Sequence, residues 1–131
     1  MSLAKVGELR EAEAACKSLM DARPDALDMD VALTWVEILY DGGRYEAAIP
    51  YVDKLAAQQP DNPMAPLWKA RLLLREGHLE QAAKQGELSI SLAPALPLGH
   101  NVLLGIYRKA GRAQDAETQA QWMRAYNESR Q

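Results

Sequence analysis

The chain has no phenylalanine and a single cysteine, Cys16, among its 131 residues. One thiol cannot close an internal disulfide. Cys16 lies among alanines and leucines on a predicted helix, where a buried structural thiol is expected rather than a reactive one. Only two histidines are present, His78 and His100, and each is expected to be solvent-exposed or to cap a helix. There is no serine beside a histidine base, no glycine-rich phosphate loop, and no His or Cys cluster at metal-ligand spacing. Acids such as Glu11, Glu13 and Asp21 alternate with bases as a solvated face does, not as catalytic carboxylate pairs. No catalytic residue, cofactor or metal is therefore expected, and the chain reads as a non-enzyme.

Charge of one sign is also missing. The net charge is -3, with Lys and Arg scattered among Asp and Glu, so nothing recommends binding to DNA, RNA or an anionic membrane. No apolar run approaches a membrane span or a secretory core, so membrane insertion is not expected. A cytoplasmic location is the default. Export stays open, because the chain opens in mid-repeat like a piece excised from a longer protein, and its Met-Ser-Leu start resembles an expression remnant.

What the chain does have is helix-forming residues, Ala, Leu, Glu, Gln, Arg and Lys, at 48% hydrophobic and 25% charged content. This length makes one domain. Its landmarks recur every thirty-four residues: Gly43, Gly77 and Gly111; Ala48, Ala82 and Ala116; Leu39, Leu73 and Tyr107; Pro60 and Pro94; Pro63 and Pro97. Each unit reads as a helix, a turn at the glycine, a second helix and a proline stop. The alanines must be small for two antiparallel helices to approach, while Leu39, Leu73 and Tyr107 fill the seam between them.

In order, residues 6–25 read as the second helix of a repeat, opening at Gly7, carrying Ala12 and closing at Pro24. The spacing from Gly7 to Gly43 is two residues too long, which puts an insertion in the Asp-rich link after Pro24, with Asp28 or Asp30 as the cap of the next helix. Three units follow, over residues 29–62, 63–96 and 97–131. In the first, helices over 30–41 and 45–58 flank a turn at Gly42-Gly43, and Pro50 is expected to kink the second helix without breaking it. In the second, Asn62-Pro63 caps the opening helix, with a later start at Pro66 equally open.

This pattern resembles the tetratricopeptide repeat family. The resemblance implies an all-α fold, a right-handed α-α superhelix with one N-terminal half repeat and three helical hairpins. The sequence departs from the family at Lys69 and Gly86, where bulky apolar residues are usual, and Trp35 and Trp68 are displaced from the usual tryptophan position. Packing near Gly86 is expected to be closer or looser than average.

The resemblance further implies that the first helix of each repeat lines a concave groove. Helical spacing places Leu33, Glu37 and Tyr40 on one stripe, with Leu67, Arg71 and Leu74, and with Asn101, Gly105 and Arg108. Asp30, Met64, Leu98, Arg75 and Lys109 flank that stripe, while Val36, Leu39, Ala70, Leu73, Leu104 and Tyr107 point into the stack. The expected peptide groove comprises Leu33, Glu37, Tyr40, Met64, Leu67, Trp68, Arg71, Leu74, Arg75, Asn101, Arg108 and Lys109. It is apolar with a basic end. Leu33, Glu37, Trp68 and Val102 stand where a clamp for chaperone C-terminal carboxylates would need cations or amides, which excludes that ligand.

The expected function is a non-catalytic scaffold that binds a peptide segment of a protein partner in the groove. The alternative is a linker, assembly or self-association module of a larger, possibly enzymatic, polypeptide. Trp122, Met123 and Tyr126 on the uncapped last helix are candidates for homo-oligomer contacts.

Overall fold

In a computed structural model, the structure describes residues 29–130, together with helical positions 10, 11, 14 and 18. Of the expected half repeat over residues 6–25 only those four positions are described; Cys16, the insertion after Pro24 and the cap at Asp28 lie outside the described residues, whereas Asp30, the other expected cap, lies inside the helix that includes Met29. Six helices run through the described part: α1 (Met29–Asp41), α2 (Tyr45–Gln58), α3 (Met64–Arg75), α4 (Leu79–Leu92), α5 (Pro97–Lys109) and α6 (Ala113–Ser129). No strand occurs among the described residues. Consecutive helices pack in antiparallel pairs, and α3 also touches α5, so the array is a solenoid of stacked helical hairpins.

The three turns are built alike because their glycines do the same work. Gly43, Gly77 and Gly111 hold φ of 76°, 85° and 74°, a left-handed conformation that side chains resist. Each glycine N–H donates to the carbonyl three residues back (Tyr40, Leu74, Arg108). The next N–H, of Arg44, His78 or Arg112, donates to Leu39, Leu73 or Tyr107 at 2.8–2.9 Å. These bonds satisfy carbonyls that a helix end would leave orphaned. Leu39, Leu73 and Tyr107 therefore fill the seam with their side chains and lock the turn with their backbones.

Ala48 and Ala82 are fully buried and Ala116 nearly so, as close approach of paired helices requires. Pro50 leaves α2 continuous from Tyr45 to Gln58. The second repeat opens at Met64, whose N–H is accepted by Asn62 Oδ1 at 3.0 Å, and Pro66 is buried inside the first turn. Lys69 is not a packing defect, because its Nζ meets Asp53 of α2 at 2.7 Å.

The helix that organises the rest is α3, which buries two stripes. Ala65, Trp68 and Leu72, at i, i+3 and i+7, join the core shared with α1 and α2. Ala70 and Leu73 join the core shared with α4, α5 and α6. What remains of its circumference, Arg71, Leu74 and Arg75, faces the concave side.

At Gly86 the packing is closer than average. A Cβ there would stand 2.7 Å from Leu103 Cδ2 and 2.9 Å from its Cγ, so the missing side chain lets α4 and α5 approach.

Candidate functional site

The concave side holds a pocket of about 290 Å³ between α3 and α5. Tyr40 of α1 and Arg71, Leu74 and Arg75 of α3 form one wall; Asn101, Val102, Gly105 and Lys109 of α5 form the other. Gly105 opens it, since nothing lies within 4 Å of where its Cβ would be.

Two of the pocket's cations, Arg71 and Arg75, are held by aromatic faces. Tyr40 and Trp68 pack edge to face with centroids 5.5 Å apart. The Arg71 guanidinium lies 4.4 Å from the Trp68 centroid and 4.7 Å from that of Tyr40. Arg75 lies 5.5 Å from the Tyr40 centroid, and its Nε donates to Tyr40 Oη at 2.8 Å. That hydrogen bond, accepted by the Tyr40 hydroxyl, raises the Arg75 pKa. Such contacts fix long side chains that would otherwise sweep through solvent.

Asn101 also lines a second, more apolar pocket of about 460 Å³ with Leu96, Pro97, Leu98 and Met123. Leu98 is 40% exposed there, one of two large apolar side chains standing that far into solvent among the described residues. Asn101 thus lines both a cationic pocket between α3 and α5 and a more apolar one between α5 and α6.

Six of the residues expected in the groove come together in the first pocket: Tyr40, Arg71, Leu74, Arg75, Asn101 and Lys109. Others stand apart from it. Leu67, expected on the groove surface, is 0% exposed, and Trp68 is 8% exposed. The physical reason is that α3 is packed by α2, α4 and α5 together, so a stripe free on an isolated hairpin is covered in the middle of the stack. Trp68 acts from beneath, as the surface on which Arg71 lies. Leu33 and Met64 are half-buried against the first core, while Glu37 and Arg108 are exposed outside the pocket. Val102 completes the wall. Gly105 was legible from its place four residues after Asn101.

His100 departs from the expected exposed or capping role. It is 6% exposed, with Nδ1 2.7 Å from Gln119 Oε1 and Nε2 2.7 Å from the Pro94 carbonyl, to which it donates. Its ring stacks on Trp122 at 3.6 Å, and Trp122 stacks on Tyr126 at 5.3 Å. One face of Trp122 is therefore already covered within the chain. His78 occupies the N-cap position of α4 without a side-chain capping bond. Among the described residues no group of three or more His, Cys, Asp or Glu is placed to hold a metal ion. No described helix is long and apolar enough to cross a membrane.

Residues 39–85 match the sequence profile of the family described as Tetratricopeptide repeat. No curated protein sequence matches the chain. Among solved structures, the MamA RS-1 ArsTM double mutant superposes with a TM-score of 0.85 at 16% identity, over 98% of this chain and 71% of that one. MamA MSR-1 gives 0.80 at 18% identity, covering 98% and 72%. A MamA structure from Desulfovibrio magneticus RS-1, running from residue 41 to the end, gives 0.75 at 19%, covering 96% and 68%. Such identities speak for the fold alone, and with the three equivalent glycine turns and the profile match they establish that this chain is built as a tetratricopeptide repeat array.

Proposed function

We propose that the chain is a non-catalytic interaction scaffold that holds a peptide segment of a protein partner along its concave face. The observation that carries this reading is the pocket between α3 and α5, whose walls come from three successive repeats and whose mouth is kept open by Gly105. A rigid wall with exposed apolar and charged groups fits a segment that lies across several repeats. The partner's burial against Leu74, Val102 and the Leu98 pocket supplies affinity, and the charged rim sets orientation.

The test is a phage-displayed peptide selection on the intact chain, with each selected peptide remeasured on two variants. Gly105→Leu fills the pocket mouth without meeting any neighbour at Cβ, and is expected to weaken binding at least tenfold. Lys84→Leu, on the exposed face of α4, is expected to leave it unchanged. Selected peptides that bind Gly105→Leu as well as the wild type would refute the groove reading.

A further inference from the structure

Every salt bridge among the described residues lies away from the concave pocket: Lys69 with Asp53, His78 with Glu76, Arg112 with Glu80, Glu87 and Asp115, and Arg124 with Glu117. No described carboxylate comes within ion-pair distance of Arg71, Arg75 or Lys109. These cations nevertheless converge on one pocket, and two of them share the Tyr40 ring. Arg75 and Lys109 also end their helices, where the carbonyl dipole favours a positive charge. That accounts for their presence but not for Arg71, which lies a turn earlier and is laid over Trp68 and Tyr40. Like charges gathered without a counter-charge repel, and an anion entering between them removes that repulsion. A fixed guanidinium offers parallel donors matched to a carboxylate.

We infer that this pocket receives the side-chain carboxylate of an aspartate or glutamate in the bound peptide, with an apolar side chain beside it seated against Leu98 and Met123. This rests on the groove reading given above. Asn101, which lines both pockets, stands where the peptide passes from one to the other. The occupant is acidic rather than polyanionic like nucleic acid, because the chain's net charge of -3 and the exposed Glu37 and Asp41 on α1 would oppose an extended polyanion along the same face.

The experiment uses fluorescein-labelled, N-acetylated, C-amidated octapeptide pools, randomised except for one central residue, Glu in one pool and Gln in another. Fluorescence anisotropy at low salt is expected to show the Glu pool binding about tenfold tighter than the Gln pool, as charge-assisted bonds in a half-enclosed site provide. The gap is expected to shrink as salt is raised. In the double variant Arg71→Gln/Arg75→Gln the gap is expected to vanish, with an unchanged far-UV circular dichroism spectrum showing that the array is still folded. Arg124→Gln, on α6, is expected to preserve the gap. Equal binding of both pools by the wild type would overturn the acid assignment while leaving the groove reading in place, provided Gly105→Leu weakens both. A Gln pool with a free C-terminus that binds as the amidated Glu pool does would overturn the side-chain assignment in favour of a terminal carboxylate. Failure of every pool to bind would overturn both readings.

Discussion

Replacing Gly86 by alanine sets two effects of known size against each other. Alanine in a helix interior is favoured over glycine by about 0.8–1 kcal/mol. At this position, however, the new methyl would stand 2.7 and 2.9 Å from two carbons of Leu103, closer than side-chain carbons tolerate. Leu103 is 1% exposed and packed among Ala82, Ala83 and Ile106, so it cannot swing aside into solvent. Overpacking of this kind costs about 1–3 kcal/mol. The balance places Gly86→Ala between near-neutral and about 2 kcal/mol destabilised. Gly105 supplies the internal control, being another helix-interior glycine whose Cβ would meet nothing within 4 Å. Gly105→Ala is expected to stabilise by about 1 kcal/mol. Urea unfolding followed by far-UV circular dichroism should separate the two variants by about 1–3 kcal/mol, with the midpoint, not the slope, carrying the difference. In a Leu103→Ala background the penalty at Gly86 is expected to disappear, because the clashing carbons are gone. If Gly86→Ala gains as much as Gly105→Ala, or keeps its penalty without Leu103, close approach of α4 and α5 is not what the glycine provides.

Tyr107 is driven to a raised pKa by burial first and then by its hydrogen bond to Glu87 at 2.7 Å, from an ordinary value of 10.0. Its neutral form is favoured in the fold, so its contribution is complete below pH 10.0 and is lost as pH climbs beyond that value. Tyr107→Phe is expected to flatten the alkaline decline in stability and to cost about 0.5–1.5 kcal/mol at neutral pH, both read from urea midpoints across a pH series. His100→Leu would leave the Pro94 carbonyl and the Gln119 amide unpaired. It is expected to destabilise by about 1–3 kcal/mol and to change the emission of the stacked Trp122; unchanged stability would refute a structural role for those bonds. Lys69→Met removes an ion pair whose partners are 30% and 51% exposed, and is expected to shift stability by less than about 1 kcal/mol. A larger loss would mean that the pair holds α2 to α3.

The sequence by itself determined the period, the helix pairs and the turns. Each rests on local chemistry: a positive φ that glycine alone adopts cheaply at Gly43, Gly77 and Gly111, small residues at Ala48, Ala82 and Ala116, and a proline or asparagine at helix starts. Half of the groove was legible for the same reason, since helical spacing places Arg71, Leu74 and Arg75 on one stripe whatever surrounds them. Only the tertiary structure decided how much of each stripe stays open. Leu67 and Trp68 share the arc of α3 that an isolated hairpin would expose, yet neighbours on three sides cover it. His100 is buried because α6 brings Gln119 and Trp122 against it, nineteen and twenty-two residues further along the chain. Arg71 is fixed because Tyr40, from the preceding repeat, supplies the second face of its aromatic seat. Periodicity reports the direction of a side chain about its own helix axis. Burial and pairing depend on what the next helix brings to that direction.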